Sequence, residues 1–506
     1  MRASLSLIFV TVLFTATGCQ IPTTGERPRF RHESELALWL HRASIAEIKG
    51  NAELLRKATA KVAEHWREQP GAPTGGYRLE ITSSRHDTAK PLFFDSFEPA
   101  DECKVDGLNT RYTRDGIGAP LIGTKKFPDS DPLSKYQPDD GIERAVTAVL
   151  TFPERKRARL AFYDPGKTIE LNGKPVTADF SAPLSNALGD VGKMRRLGLA
   201  GMFRTGDPKF QAGFLLTQPY DPNRTPLVLV HGLLSSQIAW RNMANDLIAE
   251  PEIRKRYQIW FYHYPTGNPV LLSAEVFRRN LNQLRKDLDP TGRDPAMQKT
   301  VVVGHSMGGL LTKTLITTTG DLLWKQAFTV TKDELLLEPA KKKMVVDSFY
   351  WKARPEVKRV IYVAVPHRGS NLATSFIARM VQRIIRLPET LISVTTDIVR
   401  LDADALTEEA LQTVERLNFS SIANLSPEDN TLQALNELPT APWVHRHSII
   451  GNRGKPGPIE KSSDGIVPYT SSHINGVDSE IIVPGDHGAY KTPEALVEII
   501  RILKLP

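Results

Sequence analysis

Residues 300–311 restrict this chain more than any other stretch. They read Thr-Val-Val-Val-Gly-His-Ser-Met-Gly-Gly-Leu-Leu. Thr300 to Val303 are β-branched and predict a short strand, whereas Met307 onward predicts a helix. Between them Gly304-His305-Ser306-Met307-Gly308 must turn the one into the other around a serine. So tight a turn forces Ser306 into a strained backbone conformation, and any side chain larger than hydrogen at 304 or 308 collides there. The turn lifts the Ser306 hydroxyl above the sheet. The helix behind it points its positive end at the same place, which favours a developing oxyanion. The five-residue pattern alone is short enough to arise by chance, and a plain strand-to-helix turn is the alternative. The strand before it and the helix after it make Ser306 a candidate nucleophile.

The surrounding sequence has a matching texture. After Asp221-Pro222, short aliphatic runs recur at Leu227 to Val230, Tyr257 to Tyr262, Thr300 to Val303, Lys358 to Val365, Val444 to Ile450 and Glu480 to Val483. Helical stretches at Gln237 to Ala249, Ala274 to Leu288 and Met307 to Thr318 separate several of them. Near-continuous aliphatic strands alternating with helices predict a mostly parallel sheet flanked by helices on both faces.

Three further motifs stand in that region: Val228-Leu229-Val230-His231-Gly232-Leu233-Leu234-Ser235-Ser236, Ser463-Asp464-Gly465-Ile466-Val467-Pro468, and Val483-Pro484-Gly485-Asp486-His487-Gly488. With the serine turn, they make the chain from about residue 222 to its end similar to the α/β-hydrolase superfamily, and within it to bacterial lipases and related esterases. The resemblance implies a triad of Ser306, Asp464 and His487, in the chain order of that fold. Asp464 stands in the loop after the strand before the last, and His487 follows the last strand, ahead of a closing helix at Pro493 to Leu503. His487 takes the Ser306 proton and returns it to the leaving group, while Asp464 fixes the imidazole and stabilises its charged form. The resemblance also implies an oxyanion hole from the backbone N–H of Met307 and that of Leu233 or a close neighbour. Asp486 adjoins His487 in sequence, but adjacent residues on an extended loop rarely face each other. His231 and His305 are expected to pack or to bond behind the site, and His263, His367 and His473 to lie in loops. No metal or organic cofactor is implied.

Val365-Pro366-His367-Arg368-Gly369-Ser370 has counterparts in lipase-like hydrolases and is read as a structural turn near the site. About residues 371–443 form an insertion longer than one crossover needs, which that fold uses as a helical lid. Within it, residues 375–386 place Phe376, Ile377, Met380, Val381, Ile384 and Ile385 on one helical face and Arg379, Arg383 and Arg386 on another. That helix either packs its apolar face on the core, lies at a membrane surface or lines an acyl pocket.

Upstream, residues 31–218 predict an accessory α+β region. Helical spacing runs from Glu33 to Trp66 with a break at Gly50-Asn51, and short β-like runs follow at Tyr77 to Thr82, Ala145 to Thr151 and Arg159 to Tyr163. Asn172-Gly173 marks a hairpin. The sequence shows no chemistry there. A hydrolase region is expected over 219–506, and 506 residues are comfortable for two domains. A net charge of +8 over this length is a mild bias without a long basic block, so nucleic acid is not an expected partner.

The two cysteines, Cys19 and Cys103, exclude a disulfide-rich scaffold. Arg2 followed by an apolar run from Leu5 to Thr17 suits a secretory signal and is too short to cross a bilayer. Leu13-Phe14-Thr15-Ala16-Thr17-Gly18-Cys19 resembles a bacterial lipoprotein signal, although Ala16 stands where a larger aliphatic residue is usual. That resemblance implies a signal over 1–18, lipidation of Cys19, a tether over 19–30 and anchoring in the cell envelope, in the outer membrane since Gln20 is not Asp. An ordinary cleaved signal or an uncleaved anchor is the alternative. The expected activity is hydrolysis of a lipid or other lipophilic ester. A thioesterase or acyltransferase using the same triad, and an envelope scaffold with a silent site, remain the other readings.

Overall fold

The computed structural model describes residues 33–83, 90–189, 211–371, 389–415, 423–454 and 457–506. Cys19, the tether and the stretch 375–386 lie outside them. Among the described residues no helix is long and apolar enough to cross a membrane.

The described residues begin with two helices, Glu35–Ile48 and Ala52–Glu68. Ser34 caps the first by accepting from the Ala37 N–H at 3.0 Å, and Asn51 caps the second through the Leu54 N–H at 2.9 Å. Gly50, at φ 62°, makes the break expected at Gly50-Asn51. Both helices bury Leu40, Ala43, Ala58 and Val62 against a sheet. Its strands are β1 (Arg78–Ser83), β2 (Ser96–Pro99), β4 (Ala119–Lys125), β5 (Ile142–Glu154) and β6 (Arg157–Tyr163), in the order β1-β6-β5-β4-β2. Phe97 and Phe162 stack at 4.8 Å in this core. Two short pairs complete the region: β3 (Thr113–Arg114) with β9 (Ala178–Asp179), and β7 (Glu170–Leu171) with β8 (Lys174–Pro175). The second pair turns at Asn172-Gly173, whose φ values of 51° and 73° suit the hairpin read from that dipeptide.

The second sheet has seven strands in the order β10-β12-β11-β13-β14-β15-β16. They are β10 (Gly213–Leu216), β11 (Thr225–Val230), β12 (Tyr257–His263), β13 (Thr300–His305), β14 (Val357–Val363), β15 (His445–Asn452) and β16 (Ser479–Pro484). Only β10 runs antiparallel to its neighbour. This is the α/β-hydrolase fold, with the serine turn after its central strand. Alternation along the strands assigns the two faces. Val228, Val230 and Val302 join the helices Val270–Leu288 and Met307–Ile316 in one core. Leu227, Leu229, Val301 and Val303 join Arg241–Ala249 and Pro493–Lys504 in the other. Because β10 lies in this sheet, the sheet starts upstream of residue 219, in a segment the sequence assigned to the accessory region.

The two sheets share a buried seam. Helix Ser181–Leu188 sends Leu184 and Leu188 into the second sheet's core. Asn245 accepts from Ser181 Oγ at 2.7 Å and donates to the Thr110 carbonyl at 2.8 Å. Tyr136 and Tyr112 donate to Asp287 and Asp246 at 2.6 and 2.8 Å. A cavity of about 60 Å³ at the seam is lined by Glu143, Asp164, Arg224, Arg254 and Tyr257, among others, but by none of the triad candidates. That size suits a few waters.

The insertion is also built differently from expectation. Trp324, Phe328 and Val345 share a small core with Val394, Ile398 and Leu406. Backbone bonds join Thr329 N to the Ala405 carbonyl at 2.9 Å and Thr407 N to the Ala327 carbonyl at 3.0 Å. Residues 322–350 therefore fold together with 389–415, so the inserted layer draws on two segments rather than on 371–443 alone.

Candidate active site

At the end of β13 the chain does what its glycines require. Ser306 sits at φ 52°, ψ −126°, a region a residue with a Cβ occupies only under strain. Its N–H donates to the Val363 carbonyl at 2.9 Å, which holds the turn against the end of β14. A Cβ on Gly304 would lie 2.5 Å from Thr312 Oγ1 and 2.7 Å from Gly309 Cα. One on Gly308 would lie 2.4 Å from the His231 carbonyl oxygen. Close approach of neighbouring backbone, not a left-handed φ, is what demands glycine at both. Gly309 is equally confined, with Val365 Cγ2 at 2.1 Å from its would-be Cβ.

Three side chains meet above this turn. His487 Nε2 lies 2.9 Å from Ser306 Oγ, and His487 Nδ1 lies 2.7 Å from Asp464 Oδ2. Since a carboxylate only accepts, Nδ1 carries the proton, and Nε2 is left bare to accept from the serine. Asp464 is 1% exposed. Its other oxygen accepts from the Ile466 and Val467 N–H groups at 2.8 and 2.6 Å, so the buried carboxylate is fully bonded and its orientation fixed. The glycine that ends up between the loops carrying Asp464 and His487 is Gly451. A Cβ there would stand 2.9 Å from both Asp464 Cβ and the Asp486 carbonyl oxygen. Asp486 is turned away from the imidazole and accepts from the Gly488 N–H at 2.8 Å.

The loop after β11 closes on the same point. A Cβ on Gly232 would lie 2.9 Å from Ser306 Cβ, so only glycine admits this approach. Leu234 takes φ 58°, and its N–H goes to Thr266 Oγ1 at 3.3 Å. Among the described residues neither the Leu233 nor the Met307 N–H has a hydrogen-bond acceptor. Met307 is the first residue of its helix, where N–H groups have no partner within the helix.

Several histidines that the sequence left in the background hold this arrangement. His231 Nδ1 is 3.0 Å from the Gly232 carbonyl, and its ring stacks on Tyr264 at 4.6 Å. Burial pushes its pKa down to about 4. His305 Nε2 is 2.8 Å from the His487 carbonyl. Burial, reinforced by the neighbouring His487, holds its pKa well below the usual imidazole value. His367 is buried against Tyr362 and likewise depressed by burial. The turn that carries it braces the acid loop: Ser370 Oγ donates to the Ile466 carbonyl, and the Arg368 N–H donates to Ser471 Oγ at 3.2 Å. His263 ends strand β12 rather than lying in a loop, and His447 lies in β15, within the strand run read at Val444 to Ile450. His473, in a loop, bonds Glu480 at 2.8 Å. Behind the serine, Lys313 is buried with its ammonium on Asn436 Oδ1 at 2.9 Å. Burial, with Arg368 and Arg446 nearby, lowers its pKa to about 7. Among the described residues no group of three or more His, Cys, Asp or Glu side chains is arranged to hold a metal ion.

No protein-family model and no curated protein sequence matches the chain. Solved structures resemble it in part. A mature Bacillus licheniformis lipase, BlEst2, is 16% identical over 58% of this chain and 98% of its own, with a TM-score of 0.30. Lipase 1 from Pelosinus fermentans is 14% identical over 56% and 100%, with a TM-score of 0.32. The phospholipase PlaB from Legionella pneumophila is 13% identical over 56% and 60%, with a TM-score of 0.33.

Proposed function

We propose that this protein is a serine hydrolase that cleaves carboxylic esters through an acyl-enzyme on Ser306. The observation that carries the reading is the unbroken line from Ser306 Oγ through the His487 imidazole to the buried, twice-bonded Asp464. A serine hydroxyl is a weak nucleophile at neutral pH and needs a base within hydrogen-bond reach. His487 takes the proton as Ser306 attacks the ester carbonyl, and Asp464 offsets the charge that the imidazole acquires. The N–H groups of Met307 and Leu233 receive the oxyanion. His487 then protonates the leaving alkoxide, and water activated by the same imidazole releases the acid.

Lipophilic esters are the proposed substrate class, on the resemblance to lipases and the inserted layer of residues 322–350 and 389–415. Lipidation of Cys19 and residence in the outer membrane are proposed from the signal-like N-terminus. Labelling with a fluorophosphonate probe tests the nucleophile. Wild type is expected to label and Ser306→Ala to stay dark, with p-nitrophenyl esters of rising chain length sizing the acyl site. Failure of folded wild type to label, with and without detergent micelles, overturns the proposal. Incorporation of a palmitate analogue that disappears in Cys19→Ser tests the anchor.

A further inference from the structure

We propose that His305, the residue before the nucleophile, is a positioning residue that holds the base histidine through the His487 main chain. The inference rests on the reading of Ser306 and His487 as nucleophile and base. A carbonyl oxygen only accepts, so the 2.8 Å contact with the His487 carbonyl puts a proton on His305 Nε2. The opposite edge of the ring faces the oxyanion-side loop, since a Cβ on Gly232 would lie 2.8 Å from His305 Nδ1. Ring packing fixes the plane: Tyr490 stands at 4.7 Å, the His487 ring at 4.9 Å and Trp240 at 6.4 Å. One buried imidazole thus spans from the loop after β11 to the loop after β16, and it is covalently attached to the serine.

The consequence is geometric. The bond fixes the backbone of His487, a residue 181 positions from Ser306 in sequence. With that backbone fixed, only the two side-chain torsions of His487 remain, and its bond to Asp464 sets them. The 2.9 Å reach to Ser306 Oγ then follows without further adjustment. Burial disfavours a second proton on His305, and the charges of its titratable neighbours His487, Lys491 and His231 add to that against the opposing pull of the His487 carbonyl. It therefore stays neutral while His487 becomes charged and adds no repulsion to that step.

Two substitutions separate this role from simple packing. His305→Phe keeps the ring volume and removes the donor. His305→Gln keeps an N–H donor near the Nε2 position. For the Phe variant kcat on p-nitrophenyl butyrate is expected to fall about 10- to 100-fold at unchanged KM, the cost of misplacing a reacting group by a fraction of an ångström to an ångström. The low-field proton resonance of the His487–Asp464 bond is expected to broaden or vanish. The Gln variant is expected to recover to within a few-fold of wild type, with melting temperatures alike for both. A Phe variant with wild-type kcat, or Gln and Phe variants equally slow, overturns the proposal. If wild type neither labels nor hydrolyses, the functional reading fails and the proton resonance alone decides. A Phe variant that keeps the resonance unchanged then refutes the positioning role.

Discussion

Gly308→Ala puts the architecture of the site to a quantitative test. Its Cβ would lie 2.4 Å from the His231 carbonyl oxygen and 2.6 Å from that of Val230. Both are main-chain atoms at the end of β11, so neither yields by a side-chain rotation. Ordinary contact begins near 3.4 Å, so the start of the helix Met307–Ile316 and the loop 231–234 must part by about 1 Å. Those two backbones carry the N–H groups of Met307 and Leu233. A displacement of 1 Å at a reacting centre costs about 100-fold in rate, or roughly 2.7 kcal/mol of barrier. The loss should fall on kcat and leave KM nearly unchanged, because the oxyanion forms only after the ground state. Overpacking should also lower stability by about 1–3 kcal/mol. Steady-state kinetics beside urea unfolding measures both. Gly309→Ala is the control. The three atoms nearest its Cβ all belong to the Val365 side chain, the two closest being its γ-methyls, so adding Val365→Ala should largely restore that variant and leave Gly308→Ala slow. A folded Gly308→Ala enzyme within about three-fold of wild-type kcat would refute the reasoning.

Two more outcomes follow from the same structure. Lys313 has a folded pKa of about 7 against an ordinary 10.5. Between those values the unfolded chain binds the extra proton, so stability rises with pH there, and below pH 7 the full cost of burying the charge remains. That cost is on the order of 5 kcal/mol. Lys313→Met should gain most at pH 6 and little at pH 10 in denaturant unfolding, and parallel pH profiles of variant and wild type would sink the idea. Asn245→Ala removes the partner of the fully buried Ser181 hydroxyl and a bond to the Thr110 carbonyl. It should destabilise the seam by about 1–3 kcal/mol. Amide exchange should then rise in Ser181–Leu188 while kcat is held, and unchanged protection there would argue against the seam's role.

How much was visible in the sequence depends on what each residue is constrained by. The strand, the serine turn and the two glycines at 304 and 308 form one local unit, so their pattern survives without the rest of the fold. The motifs at Gly232, Asp464 and His487 are legible for the same reason, each a loop at a strand end with its own turn residues. What was missed depends on partners far away in the chain. Strand β10 is four residues long and owes its place to pairing with β12. Trp324 and Phe328 are covered by Val394 and Ile398, which lie some seventy residues further along the chain. In the accessory region, the parallel pairing of β1 with β6 leaves no local mark. Gly451 gives no turn signal, since its constraint comes from two loops that meet only in the folded state.

The buried imidazoles also limit the conditions this protein tolerates. His231 and His447 are held at about 4, and His305 and His367 well below their ordinary value, chiefly by burial. In each case the unfolded chain takes up a proton before the folded one does, so acidification from pH 6.5 downward drains stability through four sites at once. Three of the four, His231, His305 and His367, lie around the loops that carry Ser306, Asp464 and His487. A loss of activity in acid would therefore contain loosening of the scaffold, and a fast return of activity on neutralisation would measure how far the scaffold had opened.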